Sequence, residues 1–193
     1  MTFAEQAVEE YLSNVASAQV APSAGATAAI TGALGAALCE MVCLHTGEAA
    51  SSRRLAETTV ELEDLRDQLL ALADEDGAAV DEVQTAFEGD TDSTHEQAVL
   101  RRATEIPLRI AETAGDVATH ATVVAADGTP NGRTDAVVGA IIARAAVASA
   151  AAIVRANTGL LADESVVSDI ERRLDAAEVD AEAAVAELTE ADG

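Results

Sequence analysis

The stretch from Val20 to Cys39 constrains the fold more than any other part of the chain, because it carries no charged side chain. It consists mostly of Ala, Gly and Thr. A second stretch, residues 136–154, has the same character, with Arg144 as its one charged residue. A helix that is uncharged all round is one that is buried on all sides, and small side chains let neighbouring backbones approach closely. We therefore expect these stretches to form the two central helices of the fold.

A membrane-spanning helix is the alternative interpretation, since about 20 uncharged residues are long enough to cross a bilayer. Pro22, Ser23 and two threonines dilute the first stretch, and Arg144 lies in the middle of the second. Large apolar residues are few in the first stretch. We therefore expect both helices to lie in the core of a soluble protein that makes no membrane contact.

Apolar residues recur at helical spacing along most of the remaining chain, and no strand pattern is evident. Pro107 should kink or interrupt the fourth helix near Glu105 and Ile106, because proline removes a helical hydrogen bond. The predicted helices span residues 3–18, 23 to about 44, 50–88, 93 to about 126, 135–157 and 164–190. This pattern predicts a single all-α domain over residues 1–193, an antiparallel bundle of about six helices. Four outer helices cannot cover two central ones completely, so we also expect a homodimer.

The chain is strongly acidic, with 35 Asp and Glu residues against 11 basic residues, all of them Arg, and a net charge of −24. Low hydrophobicity with such a charge would suggest disorder, but the apolar periodicity predicts a folded protein. At molar salt the Debye length is about 3 Å, so self-repulsion costs little. We interpret the composition as adaptation to a cytoplasm of molar salt. The same charge argues against binding to nucleic acid, which needs a basic patch.

Short chemical motifs are nearly absent: there is no nucleophile elbow, P-loop or dinucleotide fingerprint. Cys39, Cys43 and His45 could share a metal, but thiols among Ala and Leu usually act as small buried hydrophobes. We therefore expect free thiols in a reducing cytosol and no metal site. His95 and His120 are interpreted as surface residues. The N-terminal segment lacks the basic and apolar regions of a signal peptide, which also favours a cytoplasmic location.

Six segments follow one another in an order and at distances that resemble a known family. They are the turn APSAGAT, the helix that contains GALGAAL, and then LADEDGAAVDEV, ATEIPLRIAE, GTPNGRTDAVVGAIIARAA and VRANTGLL. Over roughly residues 3–160 the chain resembles the cyclodeaminase/cyclohydrolase family of folate enzymes. That family includes the C-terminal domain of formiminotransferase-cyclodeaminase and stand-alone methenyltetrahydrofolate cyclohydrolases. The resemblance implies a tetrahydrofolate derivative as the substrate and no cofactor.

The resemblance places two acids in the catalytic site. Asp76 matches the aspartate that precedes an Ala-Phe pair in the family, where this chain has Ala79 and Val80. Asp135 matches the end of the family's Asn-x-x-(Ser/Thr)-Asp turn. On physical grounds, a carboxylate can pair with the cationic carbon of methenyltetrahydrofolate and move a proton from water to the departing nitrogen. We expect Asp76 to shuttle the proton, Asp135 at a helix start to support it, and both to face one cavity.

Further matched positions imply residues that bind the substrate. The family's glycine-rich loop corresponds to residues 21–27, where only Gly25 keeps a glycine and Thr27 replaces a serine. Arg155, in a Val-Arg-x-Asn segment, or Arg53 could bind the glutamate tail of a folate. The substrate-binding candidates are Ser23, Gly25, Thr27, Arg53, Asn131, Thr134, Arg155 and Asn157.

Three functions remain open at this point. Hydrolysis of 5,10-methenyltetrahydrofolate to 10-formyltetrahydrofolate comes first. Formiminotetrahydrofolate cyclodeamination comes second, because the chain carries no formimino-transfer domain. The third is a helical dimer that binds a folate-like molecule, or only itself, without catalysis. A pocket that joins Asp76 and Asp135 would favour an enzyme, whereas a filled core there would favour the third function.

Overall fold

The computed structural model describes residues 2–47, 52–88 and 93–190. The predicted start of the third helix at residue 50 and most of the predicted loop at 88–92 lie outside these ranges. The described part is helical and contains no strand, as expected. Its helices are α1 (Val8–Val15), α2 (Ala24–Thr46), α3 (Arg53–Glu88), α4 (Ser93–Asp127), α5 (Arg133–Thr158) and α6 (Glu164–Glu190), with short 3-10 turns at Phe3–Glu5 and Pro130–Gly132.

Contacts between successive helices show that the bundle is antiparallel. Ala26, near the start of α2, donates a hydrogen bond to Asp76 late in α3, whereas Glu40, late in α2, pairs with Arg66 earlier in α3. Ion pairs join α4 to α3 and α6 to α5 in the same sense. The predicted antiparallel six-helix bundle is therefore confirmed.

The Ala- and Gly-rich helices α2 and α5 lie at the centre of the bundle, as predicted. They cross so closely at Gly35 and Gly139 that neither position has room for a side chain. A Cβ atom on Gly35 would lie 2.8 Å from the carbonyl oxygen of Gly139, and one on Gly139 would lie 2.7 Å from Sγ of Cys39. Small residues therefore allow the backbones of the two central helices to touch.

The two central helices are not buried on all sides within one chain. Leu34 and Leu44 on α2 are 57% and 71% exposed, and Val138 and Ile141 on α5 are each 40% exposed. The other helices that pack against α2 and α5 leave these side chains largely uncovered. We call this surface the uncharged strip. It comprises Leu34, Ala37, Leu38, Met41 and Leu44 of α2 with Val138, Ile141, Ala145, Ala148 and Ala152 of α5.

Both central helices are long and apolar enough to cross a membrane, judged by length and composition alone. The segments concerned are Ala24–Thr46 and Pro130–Thr158. About half of the most apolar part of each is buried inside this chain, against neighbouring helices. Core helices of soluble proteins share these properties, so the expectation that the chain avoids membranes stays a prediction.

The N-terminal segment differs from the single helix predicted over residues 3–18. A 3-10 turn comes first, Gln6 and Ala7 are extended, and α1 begins only at Val8. The turn lets the main-chain N–H of Phe3 donate to Asp74 on α3, 2.8 Å away. It also brings the ring of Phe3 against that of Tyr11, with centroids 5.9 Å apart. Packing onto α3 therefore outweighs the continuous helical pattern.

Pro107 does not interrupt α4, which continues from Ser93 to Asp127. Proline has no N–H, so the carbonyl of Ala103 loses its partner one turn later in the helix. The side-chain amide of Asn157 on α5 donates to that carbonyl at 3.0 Å. Of the predicted kink or interruption, the interruption does not occur, and a residue of another helix satisfies the freed oxygen.

Candidate active site

Asp76 lies on α3 where this helix passes the start of α2, and only 5% of the surface of Asp76 is exposed. Its Oδ2 accepts a hydrogen bond from the main-chain N–H of Ala26 at 2.9 Å. The hydroxyl of Ser23 donates a second, short hydrogen bond to the same oxygen. Because the N–H groups at a helix start are unpaired and carry partial positive charge, this position favours the ionised carboxylate.

The sequence around the start of α2 explains why a carboxylate fits there. Ser23 is the N-cap residue, and its oxygen accepts from the N–H of Gly25 at 3.2 Å. A Cβ atom on Gly25 would overlap Oδ1 of Asp76 and lie 2.7 Å from its Oδ2. The one glycine that this chain keeps from the family's loop is therefore needed inside the protein, because the side chain of Asp76 lies against it.

Burial raises the pKa of Asp76 above the usual value of an aspartate, and the hydrogen bonds from Ser23 and Ala26 oppose this shift. Oδ2 accepts both of these bonds, whereas Oδ1 accepts none from the described residues. One carboxylate oxygen is thus held by the protein, and the other is free to meet a ligand or a water molecule. A raised pKa also brings the group closer to the range in which it can both accept and donate a proton.

Asp76 forms part of the wall of a cleft of about 270 Å³ between the ends of four helices. Apart from Ser23, Asp76 and Asn157, the wall is apolar or made of Ala and Gly. Its larger apolar members are Val80, Val83, Phe87, Leu100, Ile153 and Leu160. A buried carboxylate in an apolar cleft suits a ligand that combines a positive centre with flat apolar parts.

Of the predicted site residues, the structure brings Asp76, Ser23, Gly25 and Asn157 together in this cleft. Asn157 uses its amide nitrogen for the carbonyl of Ala103, so its first role is to hold α5 against α4.

Three further candidates lie outside the cleft. Thr27 is one turn farther along α2, where its hydroxyl donates to the carbonyl of Ser23 at 2.9 Å and lies 3.3 Å from the hydroxyl of Tyr11. Arg155 points to α6, and its side chain pairs with Glu178. Arg53 is 92% exposed at the start of α3 and pairs with Glu57 in the next turn. Within this chain, none of the three contacts the cleft.

Asn131, Thr134 and Asp135 lie at the opposite end of the bundle. Asp135 is in the first turn of α5, whereas Asn157 of the cleft is in its last turn. At a rise of about 1.5 Å per residue, the helix separates them by about 33 Å. The prediction that Asp76 and Asp135 face one cavity is therefore wrong within a single chain. The physical reason is that α5 runs antiparallel to α2 and carries its first turn away from the start of α2.

The apolar wall of the cleft was missed as a functional feature. Val80, Val83 and Phe87 follow Asp76 along α3 at a spacing that predicts a helix and does not by itself indicate a cleft. The structure shows that Phe87 remains 59% exposed at the cleft. No signal in the sequence could have revealed this, because only the three-dimensional arrangement shows which residues near the end of α3 other helices leave uncovered.

The two cysteines are buried, free thiols, as expected. Burial raises the pKa of Cys39 to about 12, so the thiol stays protonated at neutral pH. No group of three His, Cys, Asp or Glu side chains among the described residues could hold a metal ion. His95 is exposed, and His120 is partly buried, with Nδ1 3.5 Å from Glu61. That the protein works without a metal or cofactor stays a prediction.

Comparison with known proteins identifies the family. The family model described as formiminotransferase-cyclodeaminase matches residues 7–176. A methenyltetrahydrofolate cyclohydrolase from Methylorubrum extorquens is 31% identical over 179 residues, which cover 85% of each protein. The crystal structure of a formiminotetrahydrofolate cyclodeaminase from Thermotoga maritima has the same fold, with a TM-score of 0.89 at 22% identity over 97% of this chain and 98% of that chain. These findings confirm the predicted fold and enzyme type, and the chain belongs to the formiminotransferase-cyclodeaminase family of folate one-carbon enzymes.

Proposed function

We propose that this protein hydrolyses 5,10-methenyltetrahydrofolate to 10-formyltetrahydrofolate, with Asp76 as the general acid and base. The observation that carries this proposal is the state of the Asp76 carboxylate. It is buried in an apolar cleft, one oxygen is held by Ser23 and Ala26, and the other accepts no hydrogen bond from the described residues.

The chemistry of the reaction matches this arrangement. The substrate carries a positive charge on the carbon between two nitrogens, and the ionised Asp76 stabilises it in the low-polarity cleft. Water adds to that carbon while Oδ1 of Asp76 takes the proton that the water loses. The carboxyl group then gives this proton to the ring nitrogen as its bond to the carbon breaks. The hydroxyl that the water left on the carbon then loses its own proton to solvent and becomes the carbonyl of the formyl group, which stays on the other nitrogen, and the carboxylate is regenerated.

The relative from Methylorubrum extorquens, named as a cyclohydrolase, supports hydrolysis as the first candidate. Cyclodeamination of formiminotetrahydrofolate is the second candidate, since the Thermotoga maritima protein of the same fold is named for it. A helical dimer that binds only itself is disfavoured, because such a protein has no use for a cleft beside a buried acid. An inactive protein that binds a folate-like molecule would also need this cleft, and the turnover assay below separates it from an enzyme.

We further propose that the protein acts as a homodimer through the uncharged strip. In a chain of net charge −24, an uncharged surface is one that a second copy can cover without taking carboxylates out of water. The strip is apolar and lies on both central helices. A two-fold axis across it would bring the α5 start of one copy near the cleft end of the other. Asp135, Asn131 and Thr134 could then serve the cleft of the partner, which one chain alone does not allow.

We also propose a cytoplasmic location and no nucleic acid or membrane partners. The glutamate tail of the folate would be bound by Arg155 or Arg53. The negative charge of the chain supports the absence of nucleic acid and membrane partners. The exposed positions of both arginines leave them accessible, although each is paired with a glutamate.

Decay of the methenyl chromophore in molar KCl tests the proposed reaction. The parent protein should accelerate the decay, and Asp76→Asn should lower kcat by about 10²-fold or more, the usual size of a general acid–base contribution. Asp64→Asn, an exposed acid on the same helix, is the matched control and should turn over like the parent. If Asp76→Asn equals the parent, the mechanism is wrong. If the parent is inactive on the methenyl substrate but releases ammonia from formiminotetrahydrofolate, the second candidate replaces the first.

A further inference from the structure

Phe87 is one of few aromatic residues in this protein, and its side chain is unusual in being largely exposed. The chain contains two Phe, one Tyr and no Trp. Phe3 and Tyr11 pack against each other with their ring centroids 5.9 Å apart. Phe87, in the last turn of α3, has no ring partner among the described residues, and 59% of its surface is exposed. Its exposed ring lines the same cleft as Asp76.

Leu160 lines this cleft from another element, the turn that follows α5, and it is 55% exposed. Its main chain is held on both sides. The N–H donates to the carbonyl of Asn157 at 2.9 Å, and the carbonyl accepts from the side chain of Gln97 at 3.2 Å. Leu160 therefore presents its side chain from a fixed backbone.

Two large, exposed apolar side chains on one cleft are costly in water and mark a surface that binds something apolar. Between them and Asp76 the wall consists mainly of Ala79, Val80 and Val83, which offer little polar contact. An aromatic ring and a leucine on separate elements suit a flat ring better than a flexible chain, since a ring can stack on Phe87 with little loss of entropy.

We propose that Phe87 and Leu160 form a clamp for the flat ring system next to the reacting carbon of the ligand. The clamp positions that carbon over the free oxygen of Asp76 and selects ligands that carry a flat ring. This inference rests on the proposed function, because it assumes a tetrahydrofolate-type substrate with rings on either side of the reacting carbon. Phe87 and Leu160 are positioning residues, and neither takes part in the proton transfer.

Steady-state kinetics with methenyltetrahydrofolate in molar KCl tests the clamp. Phe87→Ala should raise KM about tenfold, the size that stacking of one ring on an aromatic side chain supplies, and should also lower kcat because the reacting carbon is no longer held over Asp76. Leu160→Ala should raise KM less, and Phe87→Tyr should restore the parent value because it keeps the ring. Val179→Ala, an equally exposed apolar residue on α6, is the control and should leave both constants unchanged. A parent-like KM in Phe87→Ala would overturn the clamp.

Calorimetric binding of folic acid separates failure of the clamp from failure of the proposed reaction. Folic acid carries a benzoyl ring and a pterin, here in its oxidised flat form, but no methenyl carbon, so its binding does not depend on turnover. If the parent shows no turnover yet binds folic acid, and Phe87→Ala weakens this binding about tenfold, the reaction is wrong and the clamp stands. If turnover is present but neither KM nor the folic acid Kd changes in Phe87→Ala, the clamp is wrong and the reaction stands. Failure of the parent to bind folic acid would also overturn the clamp.

Discussion

Asn157 donates a hydrogen bond from its side chain to the main-chain carbonyl of Ala103, 3.0 Å away on the neighbouring helix. That carbonyl is free because the residue four positions later is Pro107, which has no N–H. A proline inside a long helix and an asparagine 50 positions away thus form one structural unit at the wall of the candidate site. The match of Asn157 to a family motif predicted a residue that binds substrate, and the structure gives it a contact within the protein first.

Asn157→Ala should destabilise the protein because it leaves the Ala103 carbonyl without a partner, at a cost of about 1–3 kcal/mol. Thermal unfolding in molar KCl measures the effect. The same change is then made in a Pro107→Ala variant, in which the N–H of the new alanine can donate to the Ala103 carbonyl. In that background Asn157→Ala should cost clearly less, so the two changes should not be additive. Additive costs would show that the hydrogen bond does not compensate for the proline.

Gly25→Ala should damage the site more than its small size suggests. The added Cβ atom would overlap the carboxylate of Asp76, so either the carboxylate or the start of α2 must move. We expect a loss of turnover of about 10-fold or more together with a lower melting temperature. Gly159→Ala is the control, because a Cβ there meets only the carbonyl of Ala156 at 3.8 Å. A parent-like rate in Gly25→Ala would mean that the position of Asp76 is not critical.

Asp76→Asn should lose activity but keep or gain stability at neutral pH. Because burial raises the pKa of Asp76 in the folded chain, the stability that this residue contributes is greatest in acid and falls as the pH rises through the raised pKa. Asparagine does not titrate, so the stability of the variant relative to the parent should increase as the pH rises from the ordinary pKa of an aspartate through the raised pKa of Asp76. Above that pH the difference should level off. A gain of about 1 kcal/mol would raise the melting temperature by about 2–4 °C. A variant that is less stable than the parent at pH 7 would contradict this account.

Mixing two inactive variants should restore activity if Asp135 acts on the cleft of the partner. Asp76→Asn and Asp135→Asn homodimers would each be impaired, but a heterodimer has one cleft with both carboxylates intact. Random exchange of subunits should recover about a quarter of the parent activity. No recovery after exchange, shown by mass-tagged subunits, would mean that Asp135 has no role at the partner's cleft.

Dilution of salt should unfold the protein. Acids outnumber basic residues by 35 to 11, and several of the arginines are already held in ion pairs, such as Arg173 with Glu105 and Glu112. The remaining carboxylates repel one another once screening is lost. Circular dichroism should show mostly helix in molar KCl and marked loss of helix in dilute buffer. Choline chloride of equal ionic strength should restore the helix, since the effect is one of screening. A fully helical protein in dilute buffer would contradict the salt adaptation.

Helices and their order could be predicted because they depend on local patterns. The Ala- and Gly-rich stretches form the two central helices that their small, uncharged side chains predict, and α6 has the predicted bounds. The helical path through Pro107 could not be predicted, since it depends on Asn157 from another helix. Asp76 was predicted by resemblance, but its anchoring at the start of α2 required the packing of α3. Phe87 has the same spacing as core residues, and only the three-dimensional arrangement shows that its ring borders a cleft.

The contact of Cys39 with Gly139 gives the protein an internal reporter of helix separation. Sγ of Cys39 lies in the seam between α2 and α5, fully buried, with a pKa near 12. Thiol reagents attack the thiolate, so they can modify Cys39 only after the two central helices have moved apart. The rate of labelling therefore measures how often the centre of the bundle opens. The protein can in this way report its own opening in concentrated salt without an added label at any other position.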